Sequence, residues 1–138
     1  MKLIDRALFL KESPLFSSLP LDLLLPIAQK LEEGAVDAGS TLFRASEPSP
    51  NQVFLIAKGE VELRDSRGKW LGNVGAGELI GEEALITGSP RQYEAVSTQP
   101  THFLILTRGQ FHQLLAECPG LTRTLLEAFA RAHPYRKR

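Results

Sequence analysis

Cysteine is almost absent. The single thiol, Cys118, has no partner for an intrachain disulfide and cannot form a Cys-x-x-Cys metal site. It precedes Pro119 between two expected helices, where a small buried hydrophobe is the expected role. Charge excess is also lacking. The 16 basic and 16 acidic residues cancel, whereas a general nucleic-acid binder carries a basic surplus, so direct nucleic-acid binding is not expected. The one basic cluster, Arg136-Lys137-Arg138, reads as a solvated tail. No run of apolar residues is long enough to cross a bilayer, and charges interrupt the opening Met1–Arg6. Neither membrane insertion nor a secretory leader is expected, which leaves a cytoplasmic location by default. The three histidines, His102, His112 and His133, are far apart and form no His-x-His pair. A cupin-type metal site is therefore not expected. Gly-x-Ser-x-Gly and His-Glu-x-x-His are missing as well, so the chain does not read as a hydrolase, and no catalytic residue is assigned.

What is present fits one soluble domain spanning 1–138, with enough apolar sequence to bury a core of its own. The chain reads as helix, then many strands, then helix. Residues 1–34 are expected to hold two helices. The first runs from Leu3 to Lys11 with Ile4, Ala7, Leu8 and Lys11 at helical spacing; its apolar face is narrow, so it must pack on something else. The second runs from about Leu21 to Glu32 with Leu23, Leu24, Ile27, Ala28 and Leu31 on its buried side. Pro26 is expected near its first turn, and Gly34 is expected to end it. From 35 to 107 the apolar period drops to two, with strands at Gln52–Ala57, Glu60–Arg64, Lys69–Val74, Tyr93–Ser97 and Thr101–Leu106. Asp65-Ser66-Arg67-Gly68 is a hairpin turn. Short strands between glycine-rich turns imply a mainly β fold with flanking helices, a jelly-roll-type β-barrel. In 108–138, Thr107 and Gln110 have capping-box spacing for a helix from Arg108 to about Glu117. A last helix opens at Pro119 with Leu121, Leu125, Leu126 and Phe129 on one face, and Pro134 ends it.

The chemistry concentrates in 77–92. Gly81 permits unusual dihedrals and a close approach of backbone to ligand. Glu82-Glu83-Ala84-Leu85 can form one helical turn, whose free N–H groups favour a phosphate. The loop Thr87-Gly88-Ser89-Pro90 can return Arg91 to the same spot, where its planar fork matches phosphate oxygens. The Glu82 carboxylate can accept a ribose hydroxyl and hold Arg91. Taken alone, these residues equally suit a surface turn carrying a solvated Glu–Arg pair.

Gly81-Glu82-x-Ala84-Leu85 followed by Arg91 resembles the phosphate-binding cassette of the cyclic-nucleotide-binding domain family, the effector module of catabolite-activator-like proteins. Four further motifs share the resemblance in order: Pro14-Leu15-Phe16 through Leu19, Gly39-x-x-Leu42-Phe43, Val53-Phe54-Leu55-Ile56-x-x-Gly59-x-Val61, and Leu104-x-Leu106-Thr107-Arg108-x-x-Phe111. The resemblance implies a non-catalytic regulatory domain that binds cAMP or cGMP as a ligand, with no further cofactor. It would relay occupancy to a partner, to a second copy in a homodimer, or to an attached module. Arg91 would clamp the cyclic phosphate and Glu82 would accept the ribose 2′-hydroxyl. Amides near Gly81, Glu82, Ala84 and Gln92 would cradle the phosphate, and the C-terminal helix would cap the base. Some residues depart from the family pattern. Gln92 and Tyr93 replace small residues, and Glu83 replaces an apolar one. Ala45-Ser46-Glu47-Pro48-Ser49-Pro50 replaces a tight turn with two glycines. Pro134 shortens the lid, with Tyr135 as an alternative aromatic cap. An inward Tyr93 would either fill the ligand's space or stack on its base. The ligand-contact set is thus Gly81, Glu82, Glu83, Ala84, Arg91, Gln92 and Tyr93. The alternative function is a degenerate fold of this kind that contacts protein without nucleotide.

Overall fold

The structure, a computed structural model, describes residues 2–13, 16–17, 19–47, 51–81, 90–120 and 122–123. Helix α1 spans Leu3–Glu12 and buries Ala7 and Leu10, whereas Ile4 and Leu8, expected on its packed face, are exposed. Helix α2 spans Leu21–Lys30 and buries Leu24, Ile27 and Ala28. Leu23 was expected beside them but is 41% exposed. It lies about 100° around the helix from Leu24, off the stripe that Leu24, Ile27, Ala28 and Leu31 share. Pro26 sits mid-helix on the exposed side, not in the first turn. The Arg6 guanidinium ties the two helices together. It donates to the carbonyls of Ala28 at 3.3 Å and Leu31 at 2.9 Å, two of the acceptors that the end of α2 leaves open.

Gly34 does not terminate α2. The helix ends at Lys30, and strand β1 (Glu32–Val36) starts two residues later with Gly34 inside it. Gly34 faces Phe103 across the ladder, and a Cβ there would lie 2.8 Å from a carbon of the Phe103 ring. The glycine makes room for that ring. The other strands are β2 (Thr41–Phe43), β3 (Gln52–Lys58), β4 (Glu60–Arg64), β5 (Trp70–Gly75), β6 (Leu79–Ile80), β7 (Glu94–Ser97) and β8 (Thr101–Thr107). They form two four-stranded antiparallel sheets, ordered β1-β8-β3-β6 and β2-β7-β4-β5. This is the expected jelly-roll fold. The β4–β5 turn is the expected one, with Asp65 Oδ1 accepting from the Arg67 and Lys69 amides at 2.8 and 2.9 Å.

The period of two sends alternate residues of β3 and β8 to opposite sides of the first sheet. Val53, Leu55, Leu104 and Leu106 join a cluster with the helices, including Leu10, Leu24 and Phe111. Phe54, Ile56 and Phe103 join the cluster with Phe43, Val61, Leu63, Val74 and Tyr93. Helix α3 (Arg108–Glu117) closes the helical side, and its expected capping box is formed: Gln110 N–H donates to Thr107 Oγ1 at 3.2 Å, and Thr107 N–H donates to Gln110 Oε1 at 2.9 Å. Cys118 packs partly buried against the helical cluster. Leu125, Leu126 and Phe129 of the expected last helix lie outside the described residues, as does Leu121.

Candidate functional site

The informative segment is the crossing between the sheets. Strand β6 belongs to the first sheet and β7 to the second, so the chain from Gly81 to Tyr93 passes from one to the other. Glu82, Glu83 and Ala84, with the helical turn expected there, lie outside the described residues. Gly81, Arg91 and Tyr93 come together, and Gln92 is half-buried beside them.

Arg91 is 4% exposed, so it is not the solvated arginine of a surface turn. Its Nη1 donates to the Gly81 carbonyl at 3.1 Å and its Nη2 to the Gln52 carbonyl at 2.7 Å. The guanidinium carbon stands 4.3 Å from the Phe43 ring centroid, a cation–π contact. The backbone is held too. The Arg91 N–H donates to the Glu47 carbonyl at 3.2 Å, and the Ser46 N–H donates to the Arg91 carbonyl at 2.7 Å. Ser46 adopts a φ of +66°, a left-handed conformation uncommon outside glycine.

Gly81 has φ +80°, and a Cβ there would collide with Arg91 Nη1 and lie 3.2 Å from its guanidinium carbon. The glycine is required on both counts, conformation and space. Tyr93 points inward. Its ring is 1% exposed and 5.5 Å from the Phe43 ring, and its hydroxyl accepts from the Gly81 N–H at 2.9 Å. A buried guanidinium and a glycine amide thus lie side by side, two donors suited to an anionic oxygen.

Phe43 and Gln52 were not singled out as site residues. Phe43 was visible only as part of a strand motif. Gln52 acts through its carbonyl, which every residue has, so no side-chain signal marks it.

The sequence profile described as the cyclic nucleotide-binding domain matches residues 34–118. The chain belongs to this family. A cyclic nucleotide-gated potassium channel of Mesorhizobium japonicum is 30% identical over 108 residues, which cover 78% of this chain and 29% of the channel. The domain is thus less than a third of the length of that relative. The catabolite activator protein of Thermus thermophilus shares 28% identity and the fold at TM-score 0.79, over 86% of this chain and 57% of that one. The regulatory subunit of a cAMP-independent protein kinase A from Trypanosoma brucei shares the fold at TM-score 0.78 and 21% identity, over 96% of this chain and 48% of that one.

Proposed function

We propose that this is a non-catalytic, cytoplasmic regulatory domain that binds cAMP or cGMP through the Gly81–Tyr93 crossing and relays occupancy to a partner, a second copy or an attached module. The observation that carries the reading is the buried Arg91 guanidinium beside the left-handed Gly81 turn. Arg91 would exchange its carbonyl partners for the cyclic phosphate, and Glu82 would take the ribose 2′-hydroxyl. Amides of Gly81, Glu82, Ala84 and Gln92 would complete the cradle, with Glu83 and Tyr93 at its edge. The gated channel among the relatives supports an attached effector.

The relay has a physical route. Arg91 holds the Gln52 carbonyl, and the neighbouring Asn51 carbonyl accepts from the first amide of α3, that of Arg108, at 2.7 Å. Gln110 of α3 donates to the Lys30 carbonyl at the end of α2 at 2.7 Å. Moving Arg91 off Gln52 would therefore be felt at both helices, provided the ligand prefers one arrangement.

The test is thermal unfolding with excess cAMP or cGMP, on the native chain and on Arg91→Ala. Ligand at 100 times its dissociation constant stabilises by about 2.7 kcal/mol, which in a chain of this size raises the midpoint by roughly 10 °C. The native chain should show that rise and the variant should not. No rise with either nucleotide at millimolar concentration favours the second reading, a degenerate domain for protein contact. That reading is supported by the Tyr93 hydroxyl already holding the Gly81 amide.

A further inference from the structure

The Gly81 amide is a backbone donor in a buried place, so any state that leaves it without a partner is costly. In this structure the partner is a side chain from the far end of the same crossing, the Tyr93 hydroxyl, twelve residues away at 2.9 Å. The Tyr93 ring is locked by burial and by its tilted contact with Phe43. Phe43 also carries the Arg91 guanidinium on its face. One aromatic therefore positions both the arginine and the tyrosine, and both end on Gly81, one at its carbonyl and the other at its amide.

We infer that Tyr93 is a built-in competitor for the nucleotide: its hydroxyl stands in for a ligand oxygen at the Gly81 amide and sets the affinity of the site. The inference rests on the nucleotide-binding reading above. Ligand entry must break the Tyr93–Gly81 hydrogen bond and give the amide an oxygen of the nucleotide instead. Breaking that hydrogen bond is a cost of binding that a site with an open Gly81 amide would not carry. Apparent affinity falls by the fraction of molecules in which the amide is available. The consequence is an asymmetry. Removing the hydroxyl leaves a buried amide unpartnered in the free state only, because in the bound state the nucleotide satisfies it. The free protein is destabilised and the complex is not.

Tyr93→Phe keeps the ring and its packing and removes only the hydroxyl. Calorimetric titration with cAMP and with cGMP, paired with urea unfolding with and without nucleotide, reads the asymmetry. Binding should tighten by roughly 5- to 100-fold, the range set by leaving one buried donor unpaired. The free form should lose stability while the saturated form keeps that of the native chain. A tyrosine with a merely structural role would lower both forms equally and leave the dissociation constant unchanged. That result overturns the inference and leaves the nucleotide reading intact, since the native chain binds. A native chain silent to millimolar nucleotide beside a Tyr93→Phe chain that binds supports the inference most directly. Silence in both overturns it together with the nucleotide reading. Should the variant not fold, the Gly81 amide resonance of the native chain decides. Nucleotide must shift it along with the Tyr93 ring signals, and a Gly81 amide unmoved at saturation overturns the inference.

Discussion

The two sides of the β1-β8-β3-β6 sheet are built from alternate residues of the same strands, yet they differ in kind. The helical side is dominated by aliphatics: Leu10, Leu24, Ile27, Val53, Leu55, Leu104 and Leu106, with Phe16 and Phe111. The side between the sheets is aromatic at its centre, with Phe43, Phe54, Phe103 and Tyr93 in a chain of ring contacts 5.3–5.8 Å apart. It also admits polar groups, the Arg91 guanidinium and the Tyr93 hydroxyl, each held by backbone atoms. Side chains that pack only against one another make a support. A face that buries a cation and a hydroxyl must satisfy each with named partners, and partners can be exchanged. The first side thus carries stability, and the second holds the exchangeable polar contacts on which the proposed nucleotide binding depends.

The largest expected effect would separate the two sides by stability alone. Leu24→Ala empties space in the helical cluster, where Leu24 is fully buried, and should cost about 2–5 kcal/mol. Urea unfolding should show that loss, while the dissociation constant for nucleotide, measured where the variant is folded, stays within about threefold. A parallel loss of affinity would break the division. Gly81→Ala tests the other side. The left-handed dihedral should cost about 1–2 kcal/mol, and the Cβ must also push Arg91 away. Stability should fall less than for Leu24→Ala, yet nucleotide binding should be lost. Retained binding would show that the ligand does not need the left-handed Gly81 turn. The smallest effect lies away from both sides. Asp65 has its pKa lowered, chiefly by the Lys69 amide, against an opposing effect of burial and with the Arg67 amide assisting. A lowered folded-state value means that its stabilisation is present above the ordinary aspartate range and is lost as pH falls through the folded value. Asp65→Ala should lower the unfolding midpoint slightly at pH 7. The difference from the native chain should shrink as pH falls through the lowered folded value. Nucleotide affinity should be unchanged, which a titration at neutral pH checks.

Much of the fold was legible because it depends on local pattern. The alternation in Glu60–Arg64, the turn at Asp65–Gly68 and the Thr107/Gln110 capping box each need only neighbours in sequence, and each stands where it was expected. The errors arose where a distant residue decides. Gly34 next to an apolar helix reads as a stop signal, but its place is set by the Phe103 ring across the β1–β8 ladder. Ile4 and Leu8 have helical spacing, but spacing does not say which side of α1 meets α2, and Ala7 and Leu10 are the residues buried. At the site, Arg91 and Gly81 were visible as residue types suited to phosphate. Gln52 and Glu47 were not, because they serve through main-chain carbonyls.

The sequence by itself determined the helix–strand–helix order, the two-faced strands such as Glu60–Arg64 and the segment that holds the candidate site, because hydrophobic period, turn residues and caps act over a few positions; the short strands β1, β2 and β6 were not among the expected ones. Only the tertiary structure decided the rest. It placed Arg91 in the interior on two carbonyls and turned Tyr93 inward onto the Gly81 amide. The physical reason is that a buried polar group takes whatever partner the packed chain brings within about 3 Å. Those partners arrive from the opposite sheet and from the far end of the crossing, separations that no local pattern encodes.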